Sequence, residues 1–164
     1  MNRKISVIVA SFVVGAWALA SAQSAPSLQG AWRVTEVVVT GANASTSTSP
    51  QPSLYVFTRQ HYSILSVGGT TARKGAAPKD PAKLTDAEKI AQYELWHPFT
   101  ANSGTYQVTG STLTTRPLVA KSPRVMGGTQ TREFKIDGST LTLIQKSAAG
   151  QPASETRTKL TRLE

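Results

Sequence analysis

The residues of this chain with chemical potential are few: two histidines, His61 and His97, an arginine set in an apolar alternation, Arg132, and an acid set in another, Glu36. The histidines fall in different elements with no third ligand at metal spacing, so a zinc site is not indicated. His61 stands beside a tight turn and His97 precedes Pro98, and a solvated surface role suits both. Cysteine is absent, which removes disulfides, thiolate metal sites and cysteine nucleophiles together. No G-x-S-x-G elbow, H-E-x-x-H, phosphate-binding loop or dinucleotide glycine motif occurs. No catalytic residue, metal ligand or cofactor is therefore assigned.

Arg132 is the most informative position. Gln130, Arg132, Phe134 and Ile136 share one face of a strand and Thr131, Glu133 and Lys135 the other, so Arg132 points inward whenever Phe134 and Ile136 do. A buried guanidinium needs an anionic partner. Glu36, on one face with Trp32, Val34 and Val38, is one candidate; a ligand carboxylate is the second, and a solvated Arg132 in a shifted register is the third. Tyr55 and Phe57 share a strand face, and with Tyr62, Tyr106 and Phe134 they supply an aromatic interior that serves as packing or as a ligand lining.

Period-two alternation between Gly, Pro, Asp, Asn and Ser breaks marks eight antiparallel strands. They cover Ala31 to Thr40, Ser53 to Thr58, His61 to Val67, Gly104 to Val108, Thr112 to Val119, Thr129 to Ile136, Thr140 to Gln145 and Ser154 to Leu163. Asp137-Gly138 is the strongest hairpin signal. Thr85-Asp86-Ala87-Glu88 has capping-box spacing and begins a helix that Pro98 ends, with Leu84, Ala87, Ala91 and Leu95 as the stripe that packs on an end or wall of the sheet. Eight consecutive strands remove their edges by closing, which predicts an all-β fold: an eight-stranded up-and-down barrel with one helix inserted between strands three and four. Such a barrel encloses room for one small ligand, and a two-sheet sandwich is the alternative.

The chain has 164 residues, 39% hydrophobic and 16% charged, which fits one globular domain with a core. Residues 1–22 carry basic Arg3 and Lys4, an apolar run from Ile5 to Ala20 and the small tripeptide Ala20-Ser21-Ala22, the layout of a cleaved export signal. The run of 16 residues is short of the about 20 that span a bilayer. With no lipoprotein cysteine, residues 23–164 are expected as a soluble monomer in the periplasm or outside the cell, without a stable membrane anchor. Eighteen Lys and Arg against nine Asp and Glu make the chain basic, at +9. Its aromatics sit in alternating strand runs suited to an interior rather than exposed for base stacking, which argues against nucleic acid.

Gly30-Ala31-Trp32 on the first strand resembles the lipocalin opening. Together with Leu28 to Val34, Tyr55-Val56-Phe57-Thr58, Asn102 to Tyr106 and Gly138 to Leu143, the chain is similar to the bacterial secreted lipocalin-like domain family of calycin-type β-barrels, over most of residues 28–164. It departs from ordinary lipocalins in the position of its helix and in lacking their disulfides, so no ligand carries over. The resemblance implies that Trp32 packs under an arginine that closes one end of the barrel. The inward alternation Thr156, Thr158, Leu160, Arg162 nominates Arg162.

These readings converge on non-covalent binding of a small, largely apolar or amphipathic molecule, with an acidic end as an option, inside the barrel. Glu36, Tyr55, Phe57, Tyr62, Tyr106, Arg132 and Phe134 are the candidate contacts. Two rivals stay open: an isomerase- or cyclase-type enzyme with Glu36 and Tyr106 as acid–base groups, and a filled barrel acting through its basic surface on an envelope partner.

Overall fold

The computed structural model describes residues 27–73, 75 and 80–164; the expected export signal, residues 1–22, lies outside them. Among the described residues nine strands form: β1 Gly30–Thr40, β2 Ser45–Ser47, β3 Ser53–Phe57, β4 His61–Val67, β5 Phe99–Thr109, β6 Thr112–Ala120, β7 Gln130–Asp137, β8 Thr140–Lys146 and β9 Glu155–Arg162. Every pairing is antiparallel and between chain neighbours, except that β3 also pairs with β1 and β9 returns to β1, closing the barrel. Eight strands make that barrel. The additional β2, which the sequence reading did not separate from the loop, lies along Val37–Val39 where β3 has ended.

Strand alternation builds the core. Trp32, Val34, Phe57, Tyr62, Ile64, Leu113, Leu141, Leu143 and Leu160 form one buried cluster, and the partly buried Tyr55, Tyr106, Phe134 and Ile136 pack against it. Two hairpins turn alike: Thr109 pairs with Thr112 and Asp137 with Thr140, leaving Gly110-Ser111 and Gly138-Ser139 as the loops. Only the glycine of each loop has positive φ, +57° in both. This corrects the Asp137-Gly138 turn by one residue, because a two-residue loop with glycine first needs no positive φ from Asp137.

Among the described residues two bulges reset the alternation. Between Val34 and Glu36 the register of β1 on β9 shifts by one, so Val34 faces Leu160 but Glu36 faces Lys159 and Val37 faces Thr158. A bulge adds one residue on one strand and inverts the facing of all that follow. Val37 thereby joins the core, and Glu36 is turned outward, contrary to the inward position that unbroken alternation assigns it. The second bulge falls between Ser103 and Gly104. A Cβ at residue 104 would collide with the Arg116 carbonyl oxygen, so only glycine permits this approach. Pro117, which lacks an amide donor, is accommodated opposite it.

The helix α1, Asp86–Trp96, lies between β4 and β5 and starts at the expected capping box. Its packing differs from the expectation. Leu84 and Leu95 are half-buried, but Ala87 and Ala91 are exposed, as are Ile90, Tyr93 and Trp96. Leu95 lies close to Gly75 of the preceding loop, where a Cβ would crowd its Cδ1. Two alanines bury too little apolar area to hold the helix against the wall, so its attachment is concentrated at its C-terminal end.

Candidate functional site

The two ends of the barrel differ. At one end, with the Gly-Ser hairpins, Trp32 is fully buried and its Nε1 donates to the Leu28 carbonyl at 2.8 Å. The Arg162 guanidinium lies 4.0 Å from the Trp32 ring centroid. It donates through Nη1 to the Gln29 carbonyl at 2.5 Å and through Nη2 to the Ser27 carbonyl at 2.7 Å. Those bonds hold Ser27 to Gln29 across the barrel end with Leu28 plugging it.

Above that floor the aromatic candidates pack against one another and the core. Phe57 stacks on Tyr62 at 6.5 Å and meets Tyr106 edge-on at 5.4 Å. The Tyr106 hydroxyl donates to the Thr58 carbonyl at 2.6 Å, and burial pushes this phenol above its ordinary value. Tyr106 and Phe134 also border a depression of about 640 Å³ beside Leu28 and Arg59, at the floor end. Tyr55 and Tyr62 are raised by burial, against the opposing pull of the Arg132 charge on both, of Ser66 on Tyr55 and of Thr115 on Tyr62. The Tyr62 hydroxyl is buried, and its approach to Thr115 falls short of a well-formed hydrogen bond.

Glu36 does not meet Arg132. Outside the barrel its Oε1 pairs with Lys159 Nζ at 2.8 Å. The internal Glu36–Arg132 pair, one of the three arrangements open to Arg132, is thus ruled out by the β1 bulge, which turns Glu36 away from the interior that Tyr106 packs against.

Arg132 occupies the opposite end. The even residues of β7 are half-buried and the odd ones exposed, as the alternation predicts. Arg132 Nε donates to Gln145 Oε1 at 3.2 Å and Nη2 to Gln130 Oε1 at 3.4 Å, while Nη1 is buried with no partner. All three residues line a cavity of about 480 Å³ at the open mouth, between the starts of β5 and β7, the end of β8 and the β6–β7 link. Phe99, Ala101 and Val125 supply its apolar surface, and Asn102, whose Oδ1 is also buried without a partner, supplies a further carboxamide. Two cations, Arg132 and Lys121, line it, and no carboxylate does.

The rim of this cavity anchors α1. Lys121 Nζ donates to the carbonyls of Trp96 and His97, the latter at 3.0 Å, at the helix end where the macrodipole favours a cation. The Arg73 guanidinium lies 5.3 Å from the Trp96 ring and 5.5 Å from the Phe99 ring, and those rings meet edge-on at 5.7 Å. His97, exposed as expected, borders the cavity.

Of the sequence candidates, only Arg132 reaches the mouth cavity; Tyr55, Phe57 and Tyr62 lie in the filled interior. Sequence reasoning missed Phe99, Asn102, Lys121 and Gln145. Gln130 shares the Arg132 face in the sequence and was the available signal. Asn102 was legible only by starting β5 at Phe99 rather than Gly104, since Asn102 pairs with the buried Ile64.

A family model for a lipocalin-like domain matches residues 29–163. Among solved structures the chain is similar to a lipocalin-like protein from Bacteroides uniformis, 13% identical, over 83% of this chain and 98% of that one, with a TM-score of 0.46. It is also similar to an uncharacterized protein from Bacteroides eggerthii, 9% identical, over 83% of this chain and 99% of that one, with a TM-score of 0.44. No curated protein matches the chain in sequence.

Proposed function

The chain belongs to the lipocalin-like domain family, and from that premise we propose that it binds a small amphipathic acid at the open mouth of its barrel, with the acid group on Arg132. The observation that carries this reading is the buried, unpartnered Arg132 Nη1 in a residue that lines a 480 Å³ cavity. That volume suits a small ligand. A guanidinium kept from water without an anion is costly, and among the described residues Arg132 is the arginine with a buried side-chain nitrogen that has no partner. Glu36, the internal alternative, is engaged with Lys159. Phe99, Ala101 and Val125 offer the ligand an apolar flank. The layout of residues 1–22 supports export, so the acid would be met in the periplasm or outside the cell.

The test is calorimetric titration with a panel of small acids, aliphatic and hydroxylated, each beside its methyl ester, on wild type and Arg132→Met. A charge-assisted contact worth about 1.5–3 kcal/mol predicts a tenfold to hundredfold preference for the acid form, abolished in the variant. Equal affinity for every acid and its ester, or a preference that survives the substitution, overturns the reading.

A further inference from the structure

We infer that the acid is hydroxylated, a sugar-acid type of molecule rather than a fatty acid; this rests on the proposed acid site at Arg132 and specifies its ligand. The wall around Arg132 is built of carboxamides. Gln145 and Gln130 each spend their oxygen on the guanidinium, which fixes Nε and Nη2. Their amide nitrogens, two donors apiece, then have no protein acceptor among the described residues. Arg132 Nη1 adds a charged donor, and Asn102 Oδ1 adds a buried acceptor, both unpartnered. Thr100 contributes a hydroxyl to the same lining.

An alkyl chain leaves every one of these groups unpaired, and each buried polar group so stranded weakens binding. A carboxylate flanked by hydroxyls answers them in kind. Its oxygens accept from Arg132 and the glutamine amides, and a hydroxyl both accepts and donates, the latter to the Asn102 carboxamide once that side chain turns its oxygen toward the cavity it lines. The Phe99 ring and the Val125 side chain offer the apolar face that a sugar ring's C–H surface can lie against. The filled lower barrel reinforces the choice: Leu113, Leu141 and Leu143 occupy the space a long acyl chain would need.

D-glucuronate, D-glucose and octanoate serve as probes, titrated into the purified protein by calorimetry with wild type, Arg132→Met and Asn102→Leu. Asn102→Leu removes an unpaired buried oxygen, and circular dichroism confirms that each variant folds. Glucuronate is expected to bind at least tenfold tighter than octanoate and than glucose. Arg132→Met should bring glucuronate to the level of glucose, and Asn102→Leu should weaken glucuronate several-fold while leaving octanoate unchanged. Octanoate binding as tightly as glucuronate, with both lost in Arg132→Met, overturns the hydroxylated-acid inference and leaves the acid site standing. Binding of neither acid above the level of glucose overturns both.

Discussion

Arg162 lies over the Trp32 ring at 4.0 Å while its two terminal nitrogens bond the carbonyls on either side of Leu28. One side chain thus joins the last strand, the first strand and the segment that plugs the floor. Truncating Trp32 to Ala should cost about 3–5 kcal/mol through loss of buried contacts. Arg162→Met should cost about 2 kcal/mol from the lost cation–π contact and charged hydrogen bonds. It should also raise amide exchange at Gln29 and Ala31, whose amides bond Ser27 Oγ and the Glu164 carbonyl, relative to the rest of the sheet. Urea melts and hydrogen exchange check both, and an Arg162→Met protein as stable as wild type would contradict the strapping role.

Glu36 and Lys159 face each other on the outside of the barrel, each partly exposed, so their pair should be worth little. A double-mutant cycle of Glu36→Gln and Lys159→Met should return a coupling of about 0.2–1 kcal/mol. Glu36→Gln should leave ligand affinity unaltered. A large loss of binding in that variant would place Glu36 inside the barrel and refute the bulge.

The capping box of α1 carries a pH dependence. Glu88 Oε2 accepts from the Thr85 hydroxyl at 2.7 Å and from the Thr85 amide at 2.8 Å, and these bonds, the hydroxyl first, hold the Glu88 carboxyl below its ordinary range. A depressed carboxyl pKa stabilises the helix at pH above the unfolded value, and that contribution fades as pH falls through the lowered folded value. Protection of the α1 amides, taken relative to the intrinsic exchange rate at each pH, should therefore fall at acid pH in wild type and lose that component in Glu88→Gln. Thr85→Ala should cost the helix about 1 kcal/mol. Because α1 buries no residue, the main melting transition should hardly move in either variant. A matching drop in global stability would show that the helix belongs to the cooperative core.

The strands other than β2 and the first half of β5, the helix start and the inward side of Arg132 were legible in the sequence because each is a local matter. Alternation with period two states which residues share a face, and Thr85 to Glu88 closes its own hydrogen bonds within four residues. The Trp32–Arg162 contact was nominated by a resemblance together with that alternation, and the two side chains do meet. The orientation of Glu36 was not legible, because alternation transmits a facing only until an extra residue inverts it. That extra residue is selected by pairing with β9, at the far end of the chain. The mouth cavity was hidden for the same reason. Gln145 reaches Arg132 from the neighbouring strand, Asn102 enters from β5, and Lys121 is drawn to the helix end by carbonyls that only the folded α1 aligns. Side-chain type and phase are properties of a segment, whereas which end of a closed barrel fills and which stays open follows from strand stagger and bulges, and those exist only once the sheet has closed.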